Sequence, residues 1–225
     1  MPVGLITGAS RGLGRATALA LAERGWDLVV NARDAAALDR AVTEFRSRGP
    51  GSQVLAVPGD VGDPSHRSTL ARVAATLGPI DLLINNASTL GPMPPLAEYP
   101  LHRLASVLAV NVLAPLGLIQ LLPTVDTVIN VSSDAAVEAY PNWGGYGASK
   151  AALDQVSAVL AVERPDLRIY AFDPGDMRTA MHQEAFPGED ISDRPEPETV
   201  VPALVRLIIE RPPSGRYRAS ELVPV

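Results

Sequence analysis

Tyr146 and Lys150 stand four residues apart, a spacing that puts both on one face of a helix, one turn from each other. An ammonium beside a phenol favours the phenolate. The pair is therefore expected to bring the tyrosine down from its ordinary value of about 10 into a range useful for proton transfer. Ser133 closes the apolar run that begins at Val128, and its hydroxyl can hydrogen-bond the oxygen that the phenol serves. Two such donors suit a carbonyl that gains negative charge as hydride arrives. The ordinary reading of Tyr-x-x-x-Lys is an exposed i,i+4 pair, but of nineteen basic residues eighteen are Arg and only Lys150 is Lys. A compact ammonium can donate to ribose hydroxyls beside a phenol where a planar guanidinium does not fit.

Hydride chemistry needs a carrier, and the residues around Thr7-Gly8-Ala9-Ser10-Arg11-Gly12-Leu13-Gly14 form a place for one. They join a short apolar run to a helical stretch. A turn that presses backbone N–H groups against a pyrophosphate, then opens a helix toward it, needs residues without Cβ at the close approaches. Gly8, Gly12 and Gly14 supply them, with Ser10, Arg11 and Leu13 completing the expected contacts. The second apolar run ends Asn31-Ala32-Arg33. Ala32 occupies the place where dinucleotide folds carry an acid for the adenosine ribose, and Arg33 and Arg11 offer two guanidiniums suited to a 2′-phosphate. NADP(H) is expected over NAD(H).

The elements that must position these residues follow a β-α-β rhythm. Strands are expected at 3–7, 27–31, 53–57, 80–85, 127–131, 167–173 and 217–222, most of them near-continuously apolar as in a sheet covered on both faces. Helices are expected at 12–24, 34–48, 64–77, 100–121, 146–163 and 198–210. The expected fold is α/β, a single Rossmann-like doubly wound sheet of six or seven parallel strands within one domain spanning 1–225. The segment 179–197, rich in Glu, Asp and Pro, is too long for an ordinary connection and reads as a substrate lid.

Composition narrows the function further. The 225 residues carry a net charge of −6, which disfavours a global basic groove and hence nucleic acid. Absence of Cys excludes disulfide frameworks and thiolate zinc sites, and three scattered His give no ligand pattern, so no metal is expected. No apolar run reads as bilayer-spanning and no leader follows Met1, so a cytoplasmic protein without a membrane partner is expected.

Taken together the motifs resemble the short-chain dehydrogenase/reductase family over essentially the whole chain. The likeness rests on Thr-Gly-x-x-x-Gly-x-Gly at 7–14, Asp60-Val61, Asn85-Asn86-Ala87, Asn111, then Ser133, Tyr146 and Lys150 at the family spacing, and Pro174-Gly175 with Thr179. The resemblance implies Tyr146 as general acid/base and Ser133 as the residue that orients and polarises the substrate oxygen. It implies that Lys150 lowers the tyrosine pKa and holds the nicotinamide ribose, while Asn111 helps carry a water linking Lys150 to solvent. Asp60 and Val61 would lie along the adenine, Asn86 and Ala87 on the ribose side, and Pro174, Gly175, Met177 and Thr179 near the nicotinamide. Two positions depart from the pattern: Ser88 stands where the family commonly has Gly, and Asp176 is unusual after Pro174-Gly175.

The function this implies is NADPH-dependent reduction of a ketone or aldehyde, reversible to alcohol oxidation. The alternatives are a non-catalytic dinucleotide-binding sensor or scaffold and a methyltransferase, neither of which needs Ser133 with Tyr146. Three loops, 88–99, 134–145 and 179–197, should surround a small-molecule carbonyl or alcohol with Leu90, Met93, Leu96, Tyr140, Trp143, Met181 and Phe186. Apolar residues on more than one face of 100–121 and 146–163, among them Leu104, Val107, Leu108, Leu118, Val156, Val159 and Leu160, predict a homodimer or homotetramer through these helices.

Overall fold

A computed structural model describes residues 1–222. Seven parallel strands make one sheet: β1 (Val3–Thr7), β2 (Asp27–Ala32), β3 (Val54–Pro58), β4 (Leu82–Asn85), β5 (Thr127–Val131), β6 (Arg168–Asp173) and β7 (Gly215–Arg218). Their spatial order is β3-β2-β1-β4-β5-β6-β7, so the winding reverses between β1 and β4 and leaves a crevice at the carboxyl ends of those strands. Side chains alternate across the sheet. Ile6, Leu28, Val30, Ile84 and Phe172 point to one face; Leu5, Val29, Leu83, Val128 and Ile169 point to the other. The first face is covered by α1 (Gly12–Ala22), α2 (Ala35–Arg48) and α8 (Val201–Glu210), which contribute Leu21, Phe45 and Leu204. The second is covered by α3 (Pro64–Ala74), α5 (Ala114–Leu121) and α6 (Gly144–Glu163) through Leu70, Leu118 and Leu160. Each fully buried Leu or Phe in these layers stabilises the fold by about 1.5–3 kcal/mol.

The helix expected at 100–121 is one continuous rod with an interruption. α4 (Leu101–Leu108) passes into a π-helical turn at Ala109–Leu113 and then α5. Pro115 has no N–H to return to the Asn111 carbonyl, which is where an α-helical ladder would need one. Contrary to the expectation from sequence, Leu101–Leu121 is long and apolar enough to cross a bilayer by length and composition. Its Val107, Val112, Leu118 and Ile119 are buried inside the protein, in contact with the α3 and α6 layer and the sheet.

The terminal strand also differs. It was expected at 217–222 but runs Gly215–Arg218, and Ala219–Leu222 turns into α9. The expected run began two residues late because Gly215 and Arg216 carry no apolar signal. Segment 179–197, expected to be a lid, is not featureless: Ala180–Ala185 form α7, capped by the Thr179 side chain, which accepts from the His182 N–H at 3.2 Å.

Candidate active site

A cleft of about 1010 Å³ opens at the carboxyl ends of β1, β2, β4, β5 and β6. That volume reaches the upper end of small-molecule sites and accommodates a dinucleotide with a modest substrate beside it. One end is lined by Gly8, Ser10, Arg11, Gly12, Leu13, Ala32 and Arg33, with Asp60 and Val61 on the adjoining wall. The other end is lined by Ser133, Tyr146 and Lys150, facing Pro174, Gly175, Met177 and Thr179, with Asn86 and Ala87 between the two ends. Gly14 and Asn111 stand behind the lining.

The glycine turn is built for close approach. Gly8 sits at φ +68°, and a Cβ there would lie 2.8 Å from Asn86 Nδ2 and 2.9 Å from Ala87 Cα. At Gly14 a Cβ would come within 2.4 Å of the Gly8 carbonyl, so this glycine serves helix–strand packing rather than contact with a ligand. Asn86 binds the turn itself: its Nδ2 donates to the carbonyls of Thr7 (3.0 Å) and Gly8 (3.1 Å), and Thr7 Oγ1 accepts from the Asn86 and Ala87 N–H groups, both at 3.0 Å. Its side chain therefore clamps the crevice across the strand reversal instead of reaching toward a ribose. No side chain caps α1, whose first N–H groups face the cleft. Its dipole thus presents partial positive charge to an anionic ligand.

At the end of β2, Asp34 lies on the cleft lining beside Ala32 and Arg33. Its carboxylate caps α2 by accepting from the Ala37 N–H at 2.9 Å. Arg11 and Arg33 are exposed on the cleft rim, whereas the nearby Arg15 is paired with Glu44. The residues fit a phosphorylated dinucleotide: a cradle that a Cβ would fill, an uncapped helix start and two guanidiniums at the far end.

At the other end α6 delivers Tyr146 from its first turn and Lys150 from its second, and both are buried. The Lys150 ammonium lies 5.5 Å from the Tyr146 ring centroid and donates to the Val131 carbonyl at 2.7 Å. Burial pushes the Lys150 amine down to about 8, with Asp154 opposing the shift. Burial also pushes the Tyr146 phenol up to about 12. The Ser133 and Ser88 hydroxyls work against the rise, and the Asp134 and Asp173 carboxylates add to it. The expected lowering of Tyr146 by Lys150 is thus corrected: desolvation of the phenolate is the largest influence on the group and runs the other way. Ser133 Oγ donates to Asp134 Oδ1 at 2.8 Å and must turn from it to serve a substrate oxygen.

Asn111 is buried and its side chain is fully committed. Oδ1 accepts from Ser88 Oγ (3.2 Å) and the Thr89 N–H (3.0 Å), and Nδ2 donates to the Thr89 carbonyl and Ser149 Oγ, both at 2.9 Å. Any water it carries toward Lys150 would be held by its main chain, not by the amide. Ser88, the first departure, completes this knot. Asp176, the second, faces the lid, 3.6 Å from His182 Nδ1 and 3.9 Å from Arg194 Nε.

Of the expected substrate-loop residues, Leu90, Trp143 and Met181 line the cleft, while Met93, Leu96, Tyr140 and Phe186 do not. Leu96 packs on Gly144, Tyr140 bonds Asp134 and Glu138, and Phe186 backs His182 and Trp143. Sequence reasoning missed Asp134 and Asp173 on the cleft wall, and missed the neck of the lid. There Arg178 pairs with Glu196, and its N–H donates to the Pro195 carbonyl at 2.8 Å. Glu196 had no signal beyond its place in an acidic run.

Comparison with known proteins agrees with this geometry. Residues 2–190 match the short chain dehydrogenase family. Rat (Rattus norvegicus) sepiapterin reductase is 36% identical over 200 residues, covering 80% of this chain and 76% of the relative. A short chain dehydrogenase from Pseudomonas syringae superposes with a TM-score of 0.90 at 31% identity, covering 97% of this chain and 94% of the other. A short chain dehydrogenase from Shigella flexneri, solved with NADP, gives a TM-score of 0.90 at 27% identity with 97% of both chains covered. With its seven-stranded doubly wound sheet and its glycine turn at the strand reversal, the chain belongs to the short-chain dehydrogenase family of NAD(P)-dependent oxidoreductases.

Proposed function

We propose that this enzyme reduces a ketone or aldehyde to an alcohol with NADPH, reversibly, and that Tyr146 is its general acid and base. The observation that carries the reading is the convergence of Ser133, Tyr146 and Lys150 at one end of a cleft whose other end presents Arg11 and Arg33. A bound reduced nicotinamide supplies the hydride. Tyr146, holding its proton, is an acid ready to protonate the substrate oxygen, and Ser133 donates a second hydrogen bond once it leaves Asp134. Lys150 sits where it can bond ribose hydroxyls and favour the phenolate that remains; the Asn111 main chain offers the place for a water that returns the proton. Oxidation needs that phenolate, so it is favoured at higher pH than reduction.

Preference for NADP(H) is supported by the two rim arginines, by Asp34 being engaged as a helix cap, and by the NADP complex of the Shigella flexneri relative. Residues 1–225 are read as one catalytic domain with 179–197 as its lid, whose Met181 packs against the cluster that includes Leu90 and Trp143. This mostly apolar wall suits a medium-sized hydrophobic carbonyl, and the likeness to sepiapterin reductase makes sepiapterin the first compound to try. A homodimer or homotetramer in the cytoplasm is the expected working form, with no nucleic-acid or membrane partner. The test is coenzyme consumption with a panel of carbonyls that includes sepiapterin, run with NADPH and NADH. Turnover faster with NADPH supports the proposal; coenzyme binding without turnover on any member returns the chain to a sensor or scaffold.

A further inference from the structure

The last strand carries Arg216 to the back of the site, where one guanidinium touches three elements at once. Its Nη2 donates to the Ser133 carbonyl at 3.0 Å and to Asp173 Oδ2 at 2.9 Å, and its Nε donates to Asp154 Oδ2 at 3.0 Å. Each partner belongs to a segment that shapes the cleft. Ser133 lies two residues past the end of β5, Asp173 ends β6 and accepts from the Gly175 N–H at 3.1 Å, and Asp154 lies one turn beyond Lys150 on α6. Asp173 and Asp154 are largely shielded from water, at 5% and 15% side-chain exposure, so their pairing with a planar fork is far stronger than an exposed ion pair.

We propose that Arg216 is a positioning residue for the reaction: it fixes the Ser133 main chain and the Asp173–Gly175 turn, and it holds the Asp154 carboxylate away from Lys150. The proposal rests on the reductase reading for its kinetic consequences, but its electrostatic part does not. The charged and titratable groups around the Tyr146–Lys150 pair are Asp154 on α6, Asp134 after β5, Asp173 on β6, and Arg216 and Arg218 on β7. Without the guanidinium, Asp154 acts on the pair uncompensated and Asp173 keeps only Arg218, whose Nε lies 3.8 Å away, and a carboxylate favours the protonated form of both an amine and a phenol. A fork that bonds a carbonyl and two carboxylates cannot be replaced by a single ammonium.

Because Lys150 is the only lysine, lysine labelled with ¹³C at Cε gives a single resonance whose pH titration reads this amine directly in the full-length protein. Arg216→Gln should raise the Lys150 midpoint by about one pH unit, the scale of one charge near a partly shielded site. Asp154→Asn should lower it. In steady-state kinetics with NADPH, Arg216→Gln should reduce kcat about ten-fold or more while KM for the carbonyl changes less than about three-fold, with the alkaline limb of the pH profile displaced upward. Arg216→Lys should recover only part of kcat. A purely structural role predicts lower thermal stability with the Lys150 midpoint and pH profile unmoved, and that result overturns the proposal. If Arg216→Gln does not fold, Asp154→Asn decides: a lowered midpoint supports the proposal and an unmoved one refutes it. If the wild type reduces no carbonyl while the two midpoints move apart, the reductase reading fails and the control of Lys150 by Arg216 stands.

Discussion

At the scale of single residues, burial governs the two groups that matter most. Lys150 has a folded-state value of about 8 against an ordinary 10.5, so between those pH values the unfolded chain binds more protons than the folded one. Stability attributable to Lys150 therefore rises with pH across that window, by on the order of 3 kcal/mol at most. Tyr146 has the opposite sign. With its value raised to about 12 from an ordinary 10, its contribution is present below pH 10 and is lost as pH climbs toward 12. Urea melts of wild type and Lys150→Met from pH 7 to about pH 10 check this: the wild type should gain on the variant as pH rises, and parallel curves would contradict the burial argument. Ser133→Ala should lose about 10²–10³ in rate, the usual effect of deleting one donor to a developing oxyanion, read as kcat against a carbonyl substrate.

At the scale of elements, two loops decide what the cleft holds. The coenzyme choice belongs to the end of β2. Replacing Ala32 by Asp and Arg33 by Ala should reverse the order of affinities so that NADH binds more tightly than NADPH, as fluorescence titration with each coenzyme would reveal. The segment proposed as a lid is pinned at its neck by Arg178 and Glu196, and Asp176 faces His182 near its start and Arg194 near its end. Glu196→Ala should loosen the neck, raising KM for the carbonyl several-fold with a smaller change in kcat; an unchanged KM would separate the lid from substrate binding. Much of this level was legible in the sequence. Apolar runs and glycine punctuation located six of the strands and touched the seventh only at Tyr217 and Arg218, and the Tyr-x-x-x-Lys spacing was already a helical statement. What escaped was non-local. That Arg216 would reach across β6 to Ser133, or that Asn86 would clamp the glycine turn, depends on strand order rather than on neighbours in the chain. The sign of the Tyr146 shift escaped for a related reason: charge can be read from spacing, whereas burial is decided by everything packed above.

At the scale of the whole molecule, the outer surface of α4, α5 and α6 carries exposed apolar side chains among polar ones. Leu101, Leu113, Leu121, Val159 and Val162 are exposed there, whereas Val107 and Leu118, expected to contribute to an outward face, are inside the core. Val107 and Leu118 look inward because the same rod also packs against α3 and α6. Light scattering at micromolar concentration should give at least a dimer, and Leu113→Asp with Val162→Asp should shift it to monomer without lowering coenzyme affinity. The central claim concerns the cleft: a dinucleotide is held between the rim arginines and Lys150, and Tyr146 moves the proton. Tyr146→Phe removes one hydroxyl and almost no volume, so it separates binding from chemistry most directly. The account predicts NADPH affinity within about two-fold of wild type and turnover lower by about 10³ or more. A Phe variant that retains most of its activity would contradict it.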